Sequence, residues 1–407
     1  MNILVATTNY PPDIGGIAEL AFRECVGFTE AGYVVTVLHP LSETELPAGD
    51  LLANQKTGIF NSHADKSRVV KPLVSTRPVL RLESLYRCLK NQLSRKESDF
   101  LWCPNYRGFG LPVALLSRRS RVPFGIYIHG TELQTEKRSS IRTWIMKWVL
   151  TRAQIVCTNS NNTAQMIESE YAVRATVLVP GHSIPLDPGK ELLEESRLRR
   201  RTWTFALGGN LAGEPIVLIS ICRLSRGKGI DFALRAVAAQ TDDLKNRIIY
   251  VIAGDGPQAG ELMKLSRQLG IADRTIFTGA IAPEQTATFL YASDIYIQPS
   301  QPADDFLESF GISFLEAQAA GLPCLGTRWG GIMESVWENE TGLLVRPKNQ
   351  SAVTKALARL CADSDLRQKM STMGKKRASG ATWAKHTAAL NLLLESLLSS
   401  GSEQVPE

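Results

Sequence analysis

Short apolar runs, each followed by a turn and an amphipathic stretch, recur in two series along this chain and constrain its fold more than any other feature. The first series opens with an apolar run at residues 3–7, a turn rich in Pro and Gly, and a helical stretch over residues 17–31. The second opens at residues 215–222 and continues at residues 248–253. This alternation of strands and helices predicts parallel sheets with helices on both faces.

The length of 407 residues is more than one hydrophobic core usually serves, because domains cluster near about 150 residues. We therefore predict the α/β fold class, with two doubly wound Rossmann-like domains that face each other across a cleft. The predicted domains are residues 1–190 and 214–380. A polar stretch, residues 191–213, is interpreted as the linker between them, and residues 381–407 as a C-terminal helix followed by a tail.

The composition of the chain excludes several other classes of protein. Hydrophobic residues make up 44% and charged residues 21%, which is typical of globular proteins. The seven cysteines are scattered and never form a Cys-x-x-Cys pair, which argues against a zinc site and for a reducing compartment. No apolar run approaches the length of about 18 residues that crosses a bilayer, so we expect a cytoplasmic protein.

Positive charge is concentrated in the first half of the chain. Residues 66–121 hold 13 basic residues and three acidic ones. Such a segment attracts anionic lipid, nucleic acid or a charged substrate, or is simply a solvated surface. A predicted helix nearby combines aromatic, aliphatic and basic residues: Arg142, Trp144, Ile145, Lys147, Trp148, Val149, Leu150 and Arg152. This pattern suits either a membrane interface or a helix that packs on the sheet. It leads to the hypothesis of peripheral contact with the inner face of the cell membrane.

Two glutamates lie at the start of a predicted helix in the second half. A loop that carries Glu308 leads through Gly311 into a helix that bears Glu316. Eight residues of helix span about 12 Å, which is near the separation of the two polyol ends of a nucleotide-sugar. One carboxylate then suits the sugar and the other the ribose, with the helix N-terminus beneath the diphosphate. Alternatively, both glutamates lie on a solvated helix face.

Two cations follow a buried strand of the same half. Arg223 and Lys228 are five residues apart in a glycine-containing turn that precedes a helix, where a phosphate site is expected. Two such cations clamp a diphosphate and stabilise the charge that develops on a leaving group. The alternative is a basic surface turn.

The first half offers a histidine and a pair of glycines as candidates. His129 ends a predicted strand and faces the expected cleft, although His39 ends a strand as well and either histidine can be structural. The pair Gly15-Gly16 lets backbone amides approach a phosphate.

Together these segments resemble the retaining glycosyltransferases of family GT4 (glycosyltransferase group 1), which have the GT-B fold. The pieces that carry the resemblance occur in the family's order: Pro12 to Gly16, His129-Gly130, Arg223-Leu224 with Lys228-Gly229, residues 253–257, residues 291–294, Pro299-Ser300, Glu308 with Glu316, and residues 330–342. The ordered set spans nearly the whole chain.

The resemblance implies a role for each candidate residue. The catalytic set is His129, Arg223, Lys228 and Glu308. Donor binding adds Gly16 at the diphosphate, Glu316 at the ribose, and the backbone of Phe310, Gly311 and Ile312 at the sugar. The terminal helix near residues 383–398 is implied to cross back onto the first domain.

Two departures from the family pattern bear on the hinge and on the donor. Residues 179–183 read Val-Pro-Gly-His-Ser where the family usually has Asn-Gly, which leaves the hinge geometry open. The loop at Ala282-Pro283 offers no acidic side chain to pair with guanine, which favours a UDP-sugar over GDP-mannose, although backbone contacts can read either base.

The resemblance also implies the reaction. The acceptor hydroxyl attacks the sugar on the face that the leaving phosphate vacates, and a phosphate oxygen takes the proton, so the anomeric configuration is retained. No Asp-x-Asp pattern is placed to hold a metal, and Asp304-Asp305 lacks that spacing. We therefore expect a metal-independent hexosyltransferase without a cofactor. Its expected acceptor is a hydroxyl compound, lipid-linked in our hypothesis, of surface polysaccharide or glycolipid biosynthesis.

Three alternative functions compete with this interpretation. The first is a non-catalytic binding subunit with the GT-B fold, and the second is a glycosyltransferase that acts on a soluble small molecule. The third, an NAD-dependent oxidoreductase, is disfavoured because the turn after the first strand lacks the Gly-x-Gly-x-x-Gly pattern. No nucleic acid partner is expected.

Overall fold

The computed structural model describes residues 1–11, 13, 15–39, 41–42, 57–61, 68–74, 78–94, 98–206, 213–303 and 306–402. Of residues 41–42, 57–61, 68–74, 78–82 and 400–402 it describes the backbone alone. Pro12 of the first turn and the pair Asp304-Asp305 lie outside the described residues. So do four of the 13 basic residues of the basic segment, which are Lys66, Arg77, Arg95 and Lys96.

The chain divides into two compact units. The first unit is Met1–Pro180 together with Trp383–Glu407, and the second is Gly181–Thr382. The first unit ends at Pro180, whereas the predicted boundary is at residue 190, and the predicted linker over residues 191–213 falls within the second unit.

The described part of the first unit contains one nine-stranded sheet. Its strands are β1 (Asn2–Ala6), β2 (Val34–Leu38), β3 (Leu41–Ser42), β4 (Thr57–Asn61), β5 (Arg68–Val74), β6 (Phe100–Cys103), β7 (Phe124–Ile128), β8 (Ile155–Thr158) and β9 (Thr176–Val177). The order is β3-β5-β2-β1-β6-β7-β8-β9, and only β4 runs antiparallel, beside β5. In the central strand β1, Leu4 and Ala6 belong to one buried cluster while Ile3 and Val5 belong to another. Each face of the sheet therefore has its own core, as alternation along a strand requires.

Helices cover this sheet. They are α1 (Gly16–Glu30), α2 (Pro78–Leu93), α3 (Gly110–Ser120), α4 (Thr131–Glu136), α5 (Ser140–Leu150) and α6 (Asn161–Tyr171). In α5 the residues Met146, Val149 and Leu150 are buried in the core, whereas Ile141 and Trp144 are 72% and 65% exposed. The apolar stripe of this helix is thus divided between the core and the surface.

The second unit repeats the architecture with six parallel strands in its described part. They are β10 (Ile216–Ile221), β11 (Ile248–Ala253), β12 (Thr275–Gly279), β13 (Ile295–Ile297), β14 (Cys324–Thr327) and β15 (Gly342–Val345), in the order β12-β11-β10-β13-β14-β15. The helices are α7 (Lys190–Ala206), α8 (Ile230–Ala238), α9 (Asp242–Lys245), α10 (Ala259–Gln268), α11 (Thr286–Tyr291), α12 (Ile312–Ala319), α13 (Ile332–Ser335), α14 (Gln350–Ala362) and α15 (Ser364–Ser379). The predicted α/β fold of doubly wound parallel sheets is confirmed.

Helix α7 occupies most of the stretch that the sequence suggested as a linker. One Arg200 guanidinium nitrogen lies 2.9 Å from an Asp294 carboxylate oxygen, and the Trp203 ring packs against Phe289 with centroids 5.3 Å apart. Only Ser196 and Trp203 of this helix are buried, so its apolar periodicity is too weak to identify it from sequence.

The last helix of the chain, α16 (Trp383–Ser402), packs on α1 in the first unit. A Cβ at Gly27 would overlap the Thr387 side chain, which shows how closely the two helices approach. The described residues contain no helix with both the length and the apolar character needed to cross a membrane.

A buried polar network joins α16 to α1. Trp102 Nε1 donates to one Glu24 oxygen at 2.7 Å, and His386 Nε2 lies 3.3 Å from the other. His386 Nδ1 lies 3.1 Å from the Val179 carbonyl oxygen. Both ring nitrogens thus face an oxygen atom, so the two contacts fix the orientation of the imidazole between α1 and the segment after β9.

We expect His386→Ala to destabilise the first unit by about 3–5 kcal/mol, because it removes a partner from the fully buried Glu24 carboxyl. Urea unfolding followed by tryptophan fluorescence measures this loss. The control Leu392→Ala removes a 65% exposed side chain from the same helix, and its effect should stay within about 0.5 kcal/mol. Equal, small effects of both variants would contradict the role of the network.

Candidate active site

The turn after β10 sets the position of Lys228. Residues Arg226–Lys228 form a single 3-10 turn that ends at Gly229, whose φ is +67°. A side chain at Gly229 would overlap the Pro299 carbonyl, and one at Gly227 would overlap the Phe306 ring. Because only glycine fits at either position, the backbone on both sides of Lys228 is fixed against its neighbours.

Lys228 and Glu308 form an ion pair. The Lys228 ammonium lies 2.7 Å from the Glu308 Oε2 atom, and the two side chains are only 17% and 11% exposed. The ammonium also lies 5.0 Å from the centroid of the Phe306 ring. Burial disfavours the charge of Lys228, but the Glu308 carboxylate outweighs this effect, so the pKa of Lys228 is raised. The lysine therefore carries a positive charge at neutral pH.

The two oxygens of Glu308 have different surroundings. Oε2 also accepts from Gln298 Nε2 at 2.9 Å and from Ser300 Oγ at 3.3 Å. The Tyr296 hydroxyl donates to Gln298 Oε1 at 2.8 Å and thereby fixes the orientation of that amide. Within the described residues, Oε1 of Glu308 has no hydrogen-bond partner. The site thus presents one carboxylate oxygen that is available to a hydroxyl donor.

The backbone after Glu308 leads directly into α12. The Gly331 amide donates to the Glu308 carbonyl at 2.8 Å, and a side chain at Gly331 would overlap the Ser309 carbonyl. Gly311, with a φ of +82°, is the residue just before α12, and no side chain caps this N-terminus. The amides of the first turn, beginning with Ile312, therefore have no side-chain cap, which is the condition under which a helix N-terminus suits an anion.

The remaining donor-site candidates of the second unit have varied surroundings. Arg223 is exposed, and no described residue pairs with its guanidinium. The Phe310 side chain is buried, so only its backbone is available to a ligand. Glu316 lies on α12 and is half-buried. Burial raises the pKa of the nearby Cys222 thiol to about 12, although the Lys228 charge opposes this shift, so the thiol is protonated at neutral pH.

His129 and Gly16 belong to the first unit. His129 follows β7, and its Nε2 lies 2.8 Å from the Pro104 carbonyl oxygen. Because a carbonyl only accepts, Nε2 carries the proton and Nδ1 of the neutral ring is an acceptor. The backbone amide of His129 donates to the buried Glu132 carboxylate at 2.7 Å, which fixes the residue further. Gly16 is exposed at the first turn of α1.

The structure brings Lys228 and Glu308 into direct contact, although they are 80 residues apart. Sequence reasoning missed Gln298 and Phe306, and it gave no role to Ser300, although Pro299-Ser300 is one of the pieces that carry the family resemblance. The position of Gln298 in the sequence could have indicated its role. It directly follows β13, and in parallel sheets ligand-binding residues lie at the carboxyl ends of the strands. No group of three or more His, Cys, Asp or Glu side chains in the described parts of the chain is arranged to hold a metal ion.

Comparison with known proteins identifies the family of this chain. Residues 14–181 match the family described as Glycosyltransferase Family 4, and residues 206–377 match Glycosyl transferases group 1. A GDP-mannose-dependent alpha-(1-6)-phosphatidylinositol monomannoside mannosyltransferase of Mycobacterium tuberculosis is 26% identical over 96% of both chains.

Solved structures show the same fold. Sucrose-phosphate synthase from Thermosynechococcus elongatus superposes with a TM-score of 0.80 at 19% identity, over 98% of this chain and 99% of that one. Anabaena HepE in complex with UDP-glucose gives a TM-score of 0.74 at 18% identity, over 98% and 100%. The resemblance drawn from the sequence is confirmed: the chain belongs to glycosyltransferase family 4, the glycosyl transferases of group 1, and is a glycosyltransferase with the GT-B fold.

Proposed function

We propose that this glycosyltransferase moves a hexosyl group from a nucleotide-diphosphate sugar to a hydroxyl acceptor with retention of configuration. The observation that carries the proposal is the ion pair of Lys228 and Glu308. It places a permanent cation beside a carboxylate that has one oxygen engaged and the other available. This combination suits a donor with a diphosphate at one end and sugar hydroxyls at the other.

In this proposal the two partners of the ion pair contact different parts of the donor. Lys228, with Arg223 and the N-terminus of α12, binds the diphosphate, and Gly16 adds a backbone contact. Glu308 Oε1 accepts a hydrogen bond from a sugar hydroxyl, while Glu316 contacts the ribose. The backbone of Phe310, Gly311 and Ile312 lies against the sugar. The cations then stabilise the negative charge that develops as the nucleoside diphosphate leaves.

Transfer requires that one glycosidic bond replaces another. The bond from the anomeric carbon to the diphosphate oxygen breaks, the bond to the acceptor oxygen forms on the same face, and the acceptor proton passes to the leaving oxygen. His129 Nδ1, as an acceptor, is suited to hold a sugar hydroxyl during this step. Two features support a route without an enzyme nucleophile: the Glu308 carboxylate is held by three donors, and the Cys222 thiol is protonated.

We favour a UDP-sugar as the donor. Ala282 and Pro283, in the loop after β12, carry no group that pairs with guanine, although the exposed Glu284 carboxylate next to them suits guanine and argues the other way. A second opposing argument is that the mycobacterial relative, similar along its whole length, is named as GDP-mannose-dependent. Turnover with UDP-hexoses and GDP-mannose in parallel decides between them.

The acceptor is proposed to bind in the first unit. A cavity of about 280 Å³ near the carboxyl end of β6 is lined by Tyr106, Gly108, Leu111, Glu136, Arg142 and Ile145. Burial raises the pKa of Glu136, while Arg142 and Arg107 oppose this shift. Aromatic and aliphatic walls with two charged groups suit an amphipathic acceptor, such as a lipid-linked one in surface polysaccharide or glycolipid assembly. The exposed Ile141 and Trp144 on α5 support peripheral contact with the inner face of the cell membrane.

We expect Glu308→Ala and Lys228→Ala each to lower turnover by about 100- to 1,000-fold, because each removes a preorganised charged contact to the donor. Steady-state assays with the preferred nucleotide-sugar measure this loss. Glu308→Gln, which keeps the shape of the side chain, separates loss of charge from loss of packing. The control is Glu338→Ala, which breaks the exposed pair with Arg328 in the same unit and should leave turnover unchanged. Near-wild-type rates in the Glu308 and Lys228 variants would contradict the assignment and favour the non-catalytic alternative.

We also expect activity without a divalent metal, since Lys228 and Arg223 supply the positive charge at the diphosphate. The measurement is turnover after dialysis against EDTA. If the rate falls about a hundredfold and magnesium or manganese restores it, the donor site depends on a metal and the proposal is wrong on this point.

A further inference from the structure

A second cavity lies in the first unit, at the amino end of β7. Its volume is about 340 Å³. The lining residues are Ala114, Ser117, Arg118, Arg121, Val122, Pro123, Phe124, Arg152 and Gln154. Three of them are arginines and none is acidic.

These arginines come from the ends of two helices. Arg118 lies in the last turn of α3, and Arg121 follows that helix with a left-handed φ of +60°. Arg152 follows α5, where one nitrogen donates to the Trp148 carbonyl at 3.1 Å and the guanidinium stacks 4.2 Å from the centroid of the Trp148 ring. Among the residues that the structure describes, no carboxylate forms an ion pair with any of the three.

The C-termini of the two helices offset only part of the positive charge of these three arginines. The C-terminus of an α-helix carries roughly half a negative charge, so α3 and α5 together offset about one of the three positive charges. About two positive charges remain at one cavity. A phosphate group carries the negative charge that would balance them, and its oxygens accept the paired hydrogen bonds that guanidinium groups donate.

A neutral donor is present as well. Gln154 accepts from the Phe124 amide through its Oε1 atom at 2.8 Å, which turns its NH₂ group away from that contact. No described residue accepts a hydrogen bond from that group. The cavity therefore offers a fixed amide donor beside the guanidinium groups.

The cavity is separate from the candidate active site. Strand β7 begins at Phe124, which lines the cavity, and ends just before His129. Five residues of strand span about 16 Å, so the cavity and His129 lie at opposite ends of the strand.

We propose that this arginine cavity (Arg118, Arg121 and Arg152) binds a phosphate group, either of a soluble phosphorylated compound or of an anionic phospholipid headgroup. The chemistry of recognition is the same for both sources. Trp144, Trp148 and Arg152 follow one another at four-residue steps on one side of α5 and its C-terminal extension, and Trp144 is exposed. An exposed tryptophan in this row suits the interface of a bilayer and makes the headgroup worth testing directly.

The test compares wild-type protein with the double variant Arg118→Gln/Arg121→Gly. Glycine at position 121 removes the guanidinium and tolerates the left-handed backbone, so the variant should fold. The matched control is Arg119→Gln, which removes an exposed arginine from the same helix that does not line the cavity. Melting temperatures verify that all variants are folded.

Two probes identify the source of the phosphate. Isothermal titration calorimetry with inorganic phosphate and pyrophosphate measures binding of the soluble form. Sedimentation with vesicles of phosphatidylcholine, alone or mixed with phosphatidylglycerol, measures binding of the headgroup. In at least one assay we expect the double variant to lose about tenfold or more in affinity, and Arg119→Gln less than about twofold. Phosphate that binds at the donor site still binds to the double variant, so the loss in affinity measures binding at the arginine cavity alone.

Loss in the calorimetric assay alone assigns the cavity to a soluble phosphate compound, and loss in the vesicle assay alone assigns it to a headgroup. The proposal is overturned if wild type and double variant bind equally in both assays. It is also overturned if Arg119→Gln loses as much affinity as the double variant, because the effect then reflects general positive charge.

Discussion

The ion pair between Lys228 and Glu308 is the interaction on which the rest of the candidate site depends. Withdrawing two charges from water costs several kcal/mol for each ion, and the attraction between them offsets this only with good geometry and further hydrogen bonds. Gln298 and Ser300 provide those bonds to Glu308. In this pair, one carboxylate oxygen of Glu308 accepts hydrogen bonds from the protein, and the other is left for a ligand.

The parallel sheet explains how residues so distant in sequence meet. Lys228 lies in the turn after β10, and Gln298 follows β13. These two strands are hydrogen-bonded neighbours, so the segments that leave their carboxyl ends run side by side. The segment from β13 to α12 then carries Glu308 across to the lysine. The same rule places His129 at the carboxyl end of β7 in the first unit, while the arginine cavity lies at the opposite end of that strand.

The sequence predicts those parts of the molecule that local pattern determines. Buried strands followed by turns predicted the doubly wound fold. A basic turn after a buried strand made Lys228 a candidate, and a loop that leads into a helix made Glu308 one. Tertiary packing determines the rest. Helix α7 buries only two side chains, so its pattern looked like a linker. Gln298 acquires its role only when Tyr296 orients its amide toward Glu308. Likewise, a count of basic residues does not reveal that arginines from α3 and from the end of α5 line one cavity.

Binding of a nucleoside diphosphate, with and without its sugar, tests the central claim most directly. Isothermal titration calorimetry of UDP and UDP-glucose, with GDP and GDP-mannose in parallel, is performed on wild-type protein, Glu308→Gln and Lys228→Met. If the lysine binds the diphosphate and the glutamate the sugar, Lys228→Met weakens both members of the preferred pair. Glu308→Gln then leaves the nucleoside diphosphate bound equally or more tightly, but abolishes the additional affinity that the sugar confers. Equal weakening of both ligands by Glu308→Gln would contradict this division of roles.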